Sequence, residues 1–185
     1  MKTVFTIYIT LVGFLVVPSL GVFFPGHKQE KTIEAPLSKE ERDSARISKF
    51  LIELTNTRLM AMEAGKLAIE RGTTEEVRSL GRLMVGEQAK MLERLRIIAA
   101  ERGLTLPVTT DKQKAKSLDT LKQKTGKNFD RKFMRMMKTD YKKDIIRCKR
   151  IKKVNNEDIN KFVNEYQPVM MLHVNHLKLL KSNYR

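Results

Sequence analysis

From Ser38 onward, matched helix-start and helix-stop signals divide the chain into long stretches with almost no strand-forming run between them. Such punctuation points to an all-α fold. Ser38-Lys39-Glu40-Glu41 has the Ser-x-x-Glu form of a capping box, in which the hydroxyl and the later carboxylate satisfy N–H groups that the first helical turn leaves free. The helix it opens is predicted to run to Arg71, where Gly72 ends it. Thr73-Thr74-Glu75-Glu76 repeats the same start chemistry, and the second helix is predicted to run to Arg102 before Gly103. A joint this short makes the two helices antiparallel neighbours. Leu104 to Thr110, with Pro107, reads as a crossover, and Lys112 to Lys124 as a short helix before Gly126. Asn128 can cap a long helix ending near Val154, and Asn155-Asn156 can start a last one reaching about Leu180. The expected architecture is an antiparallel four-helix bundle of the ferritin-like kind over residues 38–185, with a short extra helix in its middle crossover.

The N-terminus follows another pattern. Met1-Lys2-Thr3 precedes an apolar run from Val4 to Val17, then Pro18 and the small residues Ser19 and Gly21. This is the order of a signal peptide, so residues 1–21 are read as an export segment, and residues 22–37, with Pro25, Gly26 and Pro36, as a linker. An uncleaved anchor extending to Phe24 is the alternative, although Pro18 and Gly21 interrupt it. The expected location is periplasmic or associated with an outer membrane. A lone cysteine, Cys148, excludes an internal disulfide, and three histidines are too few for a Cys/His zinc module. Phosphate-loop, dinucleotide and nucleophile-elbow motifs are all absent from the sequence.

Projecting each helix at about 100° per residue shows which polar side chains interrupt its apolar arc. Thr57 and Arg58 do so in the first helix, Gln88 in the second, Asp140, Asp144 and Arg147 in the third long helix, and His173 in the fourth. Asp140 and Asp144, four residues apart, point the same way and need positive charge between them. One reading makes Asp140, Asp144 and His173 ligands of a divalent metal. The other is an inward polar network of Arg58, Gln88, Asp140, Asp144, Arg147 and His173 that needs no cofactor. The two arginines favour the network, because guanidinium groups beside a metal site oppose a further cation.

The formal charge is +16, with a pI near 10.0. Residues 111–153 hold 17 Lys and Arg against 5 Asp and Glu, so the charge belongs to one region. Arg131, Arg135, Lys138, Lys142, Lys149 and Lys153 project opposite the apolar arc of the third long helix, flanked by Lys132 and Arg150. An anionic membrane surface or an acidic polymer suits such a face. Nucleic acid does not, since the stripe lacks aromatic residues for base stacking. Pro168 is expected to kink the last helix one turn before His173. Cys148 reads as a core residue with no base beside it, Met170-Met171 as packing, and neither His27 nor His176 is given a role.

Several short segments in order resemble a known family, the bacterial exported ferritin-like domains of unknown function 4142, often labelled outer membrane proteins. They are Gly65-Lys66-Leu67-Ala68, Leu83-Met84-Val85, Gly103-Leu104-Thr105-Leu106-Pro107, Gly126-Lys127-Asn128-Phe129-Asp130-Arg131, and Pro168 followed by His173. The resemblance covers about Lys49 to Leu180 and implies the ferritin-like fold and export. It also implies inward Glu and acidic-His positions, and there this chain departs: Ala61 stands where a Glu is expected, with Glu63 pointing elsewhere, and the pairs read Glu87-Gln88 and Asp140-Tyr141. His173 alone remains of the expected histidines. The combined reading is an exported helical module with one basic face, leaning away from an enzyme and carrying no cofactor. The alternative is a metal-binding or oxidative-stress protein.

Overall fold

The computed structural model describes residues 36–182. The export segment and all but the end of the linker lie outside the described residues. Five α-helices follow in order: α1 (Lys39–Arg71), α2 (Glu75–Ala100), α3 (Lys112–Lys122), α4 (Gly126–Ile151) and α5 (Glu157–Ser182). A single 3-10 turn, Lys152–Val154, joins the last two, and no strand occurs among the described residues.

The helix starts use the expected chemistry with small shifts. Ser38 Oγ accepts the Glu41 N–H at 3.1 Å, and the Ser38 N–H donates to Glu41 Oε2 at 2.7 Å, closing the capping box. Thr74 and Asp111 cap α2 and α3 through their side chains. The start of α4 differs from the expected Asn128: the helix begins at Gly126, whose φ of +53° lets the chain turn straight into it. At the end of α2 the helix stops at Ala100, and the last residues unwind into a turn through Gly103 at φ +62°. Asn155 takes the left-handed conformation before α5, and Asn156 Oδ1 accepts the Ile159 N–H at 3.2 Å. Pro168 lies inside α5 on an exposed position, where water can satisfy the carbonyl that its missing N–H leaves free.

Contacts between helix ends establish the topology. Arg71, at the end of α1, donates to the carbonyls of Lys122 and Lys124 just before α4, so α1 and α4 run oppositely. The Thr73 N–H, before α2, donates to Asp130 near the start of α4, so α2 and α4 run the same way. Arg102, beyond the end of α2, reaches Asn156 and Asp158 at the start of α5. The crossover carrying α3 therefore returns the chain along the length of the bundle. This is the ferritin-like arrangement, with α1 beside α2 and α4, and α5 beside α4 and α2.

The α1–α2 contact is close enough to exclude side chains. A Cβ built on Gly81 would stand 2.7 Å from the Gly65 carbonyl oxygen and 3.0 Å from the Ile69 nitrogen, and one on Gly65 would stand 3.1 Å from the Gly81 oxygen. Elsewhere apolar side chains separate the helices. Leu51, Leu54, Met84, Met91, Leu95, Phe129, Phe133, Phe162 and Leu177 are all buried in one continuous core.

Candidate functional site

Across the middle of this core runs a band of polar groups drawn from all four long helices. Arg58 on α1 is completely buried. It donates from Nη1 to Gln88 Oε1 at 3.1 Å and from Nη2 to Asp144, itself fully buried. The other Asp144 oxygen accepts from Arg147 Nη1 at 2.6 Å, and Arg147 Nε donates to Glu53 at 2.9 Å near the surface. On its other side Gln88 Nε2 donates to the Tyr141 hydroxyl at 3.0 Å. The Tyr141 ring stacks on His173 with centroids 5.0 Å apart and accepts the Arg58 guanidinium over its face at 4.9 Å. Thr57, also inward, donates to the Glu53 carbonyl of its own helix at 3.0 Å.

Electrostatics explain why the band holds together. A guanidinium does not lose its proton, so a buried Arg58 requires a carboxylate. Burial raises the Asp144 carboxyl above its usual range, and Arg58 and Arg147 oppose that shift. Burial also pushes the Tyr141 hydroxyl well above its usual range and the Cys148 thiol up to about 12. Neither group is a nucleophile at neutral pH. His173 Nε2 bonds to Glu87 on α2, while Nδ1 is buried with no hydrogen-bond partner. With Nε2 as the donor, Nδ1 keeps a lone pair, and protonation there would create a buried N–H facing no acceptor. Burial accordingly holds the imidazole below its usual range, against the pull of Glu87.

The six inward residues divide between three partnerships. Arg58, Gln88, Asp144 and Arg147 form one linked cluster. Asp140 is not shared with either arginine: it accepts from Lys114 Nζ of α3 at 2.7 Å, because α3 lies along that turn of α4. His173 turns to Glu87. The candidate metal set of Asp140, Asp144 and His173 therefore does not converge, since each member already has an ionic or hydrogen-bonded partner of its own. Among the described residues no three of His, Cys, Asp and Glu gather as a ligand set. Helical spacing alone missed Lys114, Glu87, Tyr141 and Glu53. Tyr141 and Glu87 are neighbours in sequence of residues that it did single out, while Lys114 gives no such signal.

The cationic stripe lies on the outside of α4. Arg131, Arg135, Lys142, Lys149, Arg150 and Lys153 are exposed, and Lys132 and Lys138 are half-buried. Partial desolvation lowers the Lys138 ammonium, with Lys142, Lys181 and Lys178 adding repulsion. The stripe thus continues onto α5. No helix of the described residues is long and apolar enough to cross a membrane.

A model of a domain of unknown function (DUF4142) matches residues 33–180. No curated protein matches the chain. Among solved structures, a DUF305 fragment from Deinococcus radiodurans is similar with a TM-score of 0.67 at 11% identity, covering 75% of this chain and 96% of that one. CopM in the Cu(I)-bound form is similar with a TM-score of 0.64 at 18% identity, with coverages of 75% and 96%. At these identities the likeness is one of fold.

Proposed function

For a chain that belongs to the DUF4142 family, whose description assigns no activity, we propose a non-catalytic role: an exported helical module that binds an anionic membrane surface through the outer face of α4 and α5. The observation that carries this reading is the like-charge cluster of Lys138, Lys142, Lys178 and Lys181, which spans two helices and adds its repulsion to the partial desolvation that lowers the Lys138 ammonium. Among the described residues no ion pair neutralises any of the four. A bound anionic layer would relieve that repulsion. Ile146 and Met171 favour lipid over an acidic polymer. Ile146 stands one turn from Lys142 on α4 and Met171 two turns from Lys178 on α5, at 48% and 50% exposure, and both can enter the headgroup region beside the cations. The export segment read in residues 1–21 would deliver this face to a membrane outside the cytoplasm.

Co-sedimentation of the full chain with vesicles tests the reading. Binding is expected to vesicles containing phosphatidylglycerol at low salt, to fall at high salt, and to be lost in the Lys138→Glu/Lys142→Glu variant. Equal binding to neutral phosphatidylcholine vesicles would sink it. The alternative of a metal-binding or oxidative-stress role draws support from the Cu(I)-bound neighbour alone. The residues it needs here are committed to Lys114, to Arg58 and Arg147, and to Glu87.

A further inference from the structure

Where the end of α4 and the following turn lie beside α1, they enclose a groove of about 580 Å³, within the range of small-molecule sites. Arg46 and Lys49 line it from α1, and Arg150 and Lys153 from the other side. Its apolar lining is Phe50, Ile151 and Val154. One carboxylate, Glu53, faces it, and Glu53 is occupied by Arg147 at 2.9 Å, with Lys49 only 4.0 Å away.

The cations outnumber their partners. Arg147 is spent on Asp144 and Glu53, and the bond of Arg46 to Asp43 at 3.2 Å is a solvent-facing pair that holds little energy. Among the described residues Arg150 and Lys153 have no ion-pair partner. Cations in the last turn of a helix are stabilised by its carbonyl end, which accounts for Arg150. That effect does not reach Arg46 and Lys49, which lie two or more turns inside α1, away from either end. Guanidinium and ammonium groups converging from two walls over an apolar lining match a phosphate ester carrying a hydrocarbon portion.

We propose that this groove binds the phosphate headgroup of a single anionic lipid, the phosphate between Arg46, Arg150 and Lys153 and the first carbons of the lipid against Phe50 and Ile151. The inference rests on the membrane-surface reading above, and adds to it a stoichiometric site at one end of the basic face. Glu53 limits the site's affinity, because its carboxylate lines the groove and repels the phosphate.

Calorimetric titration of the full chain with dihexanoyl phosphatidylglycerol below its micelle concentration separates the two ideas. One molecule is expected to bind per chain, with the phosphatidylcholine analogue and inorganic phosphate each binding about tenfold or more weakly. Arg150→Glu/Lys153→Glu should weaken binding by about tenfold or more, and Glu53→Gln should tighten it by about twofold or more. Lys138→Glu/Lys142→Glu should leave monomer binding unchanged while removing vesicle binding. Failure of the monomer to bind, or undiminished binding in Arg150→Glu/Lys153→Glu, overturns the groove and leaves the membrane face standing. Phosphate binding as tightly as the lipid overturns the lipid assignment. Saturable monomer binding without vesicle binding keeps the groove and removes the membrane face.

Discussion

Burial of the Arg58 guanidinium commits the bundle to a carboxylate within reach, and Asp144 supplies it. Asp144→Leu should therefore cost about 3–5 kcal/mol by stranding a buried guanidinium, whereas Arg58→Met/Asp144→Leu together should recover most of the loss. Urea denaturation of the two variants measures this, and a double variant no more stable than Asp144→Leu would contradict it. His173 sets a pH dependence of the opposite kind to a salt-bridged histidine. Its folded pKa lies below the ordinary 6.5, so the unfolded chain takes up the proton first. Its contribution is complete above about pH 6.5 and is lost as pH falls from there towards the lower folded value. Glu87, Arg58 and His176 are the charged or titratable groups acting on it. Stability measured at pH 7.5 and 5.5 should drop in the native chain and drop less in His173→Gln; identical slopes would remove His173 as the cause. Helical spacing already turns Arg58, Gln88, Asp144 and His173 inward in the sequence. Their pairing was not legible there, since it depends on how α1, α2, α4 and α5 are offset along one another, and the placement of α3 beside α4 likewise decides that Asp140 meets Lys114 rather than an arginine.

At the level of the helices, caps were the readable part. Ser38, Thr74 and the Gly72 stop act through bonds between residues close in sequence, so no tertiary knowledge is needed to find them. Gly126 shows the limit: a glycine reads equally as the end of one helix or as the left-handed entry to the next, and here it is the entry. The meshing of α1 with α2 at Gly65 and Gly81 is likewise invisible until the two helices are laid together. Gly81→Ala should lower stability by about 1–3 kcal/mol, because its Cβ meets backbone atoms that cannot rotate away. Gly86→Ala, in the same helix with nothing within 4 Å, should raise it by about 0.5–1 kcal/mol through helix propensity alone. Thermal or urea melts of the pair check this, and equal changes at both sites would mean that the close approach is unimportant.

For the whole molecule, the crossover that returns the chain along the bundle separates local from distant contacts. The glycine contact joins helices linked by three residues, Gly72 to Thr74, whereas the bond from Arg58 to Asp144 spans 86 positions. Closing the longer loop costs more chain entropy, and its reward arrives only when α3 and α4 are in place. The α1–α2 hairpin is thus the natural nucleus, and the charge cluster is a lock that shuts late. Kinetics should divide accordingly: Gly81→Ala chiefly slows refolding, and Asp144→Leu chiefly speeds unfolding, in stopped-flow traces of each. The buried arginine that ties three helices together then acts mainly on the lifetime of the folded protein, a quantity that would matter to the exported module we propose, which would work beyond the reach of the cytoplasmic folding machinery.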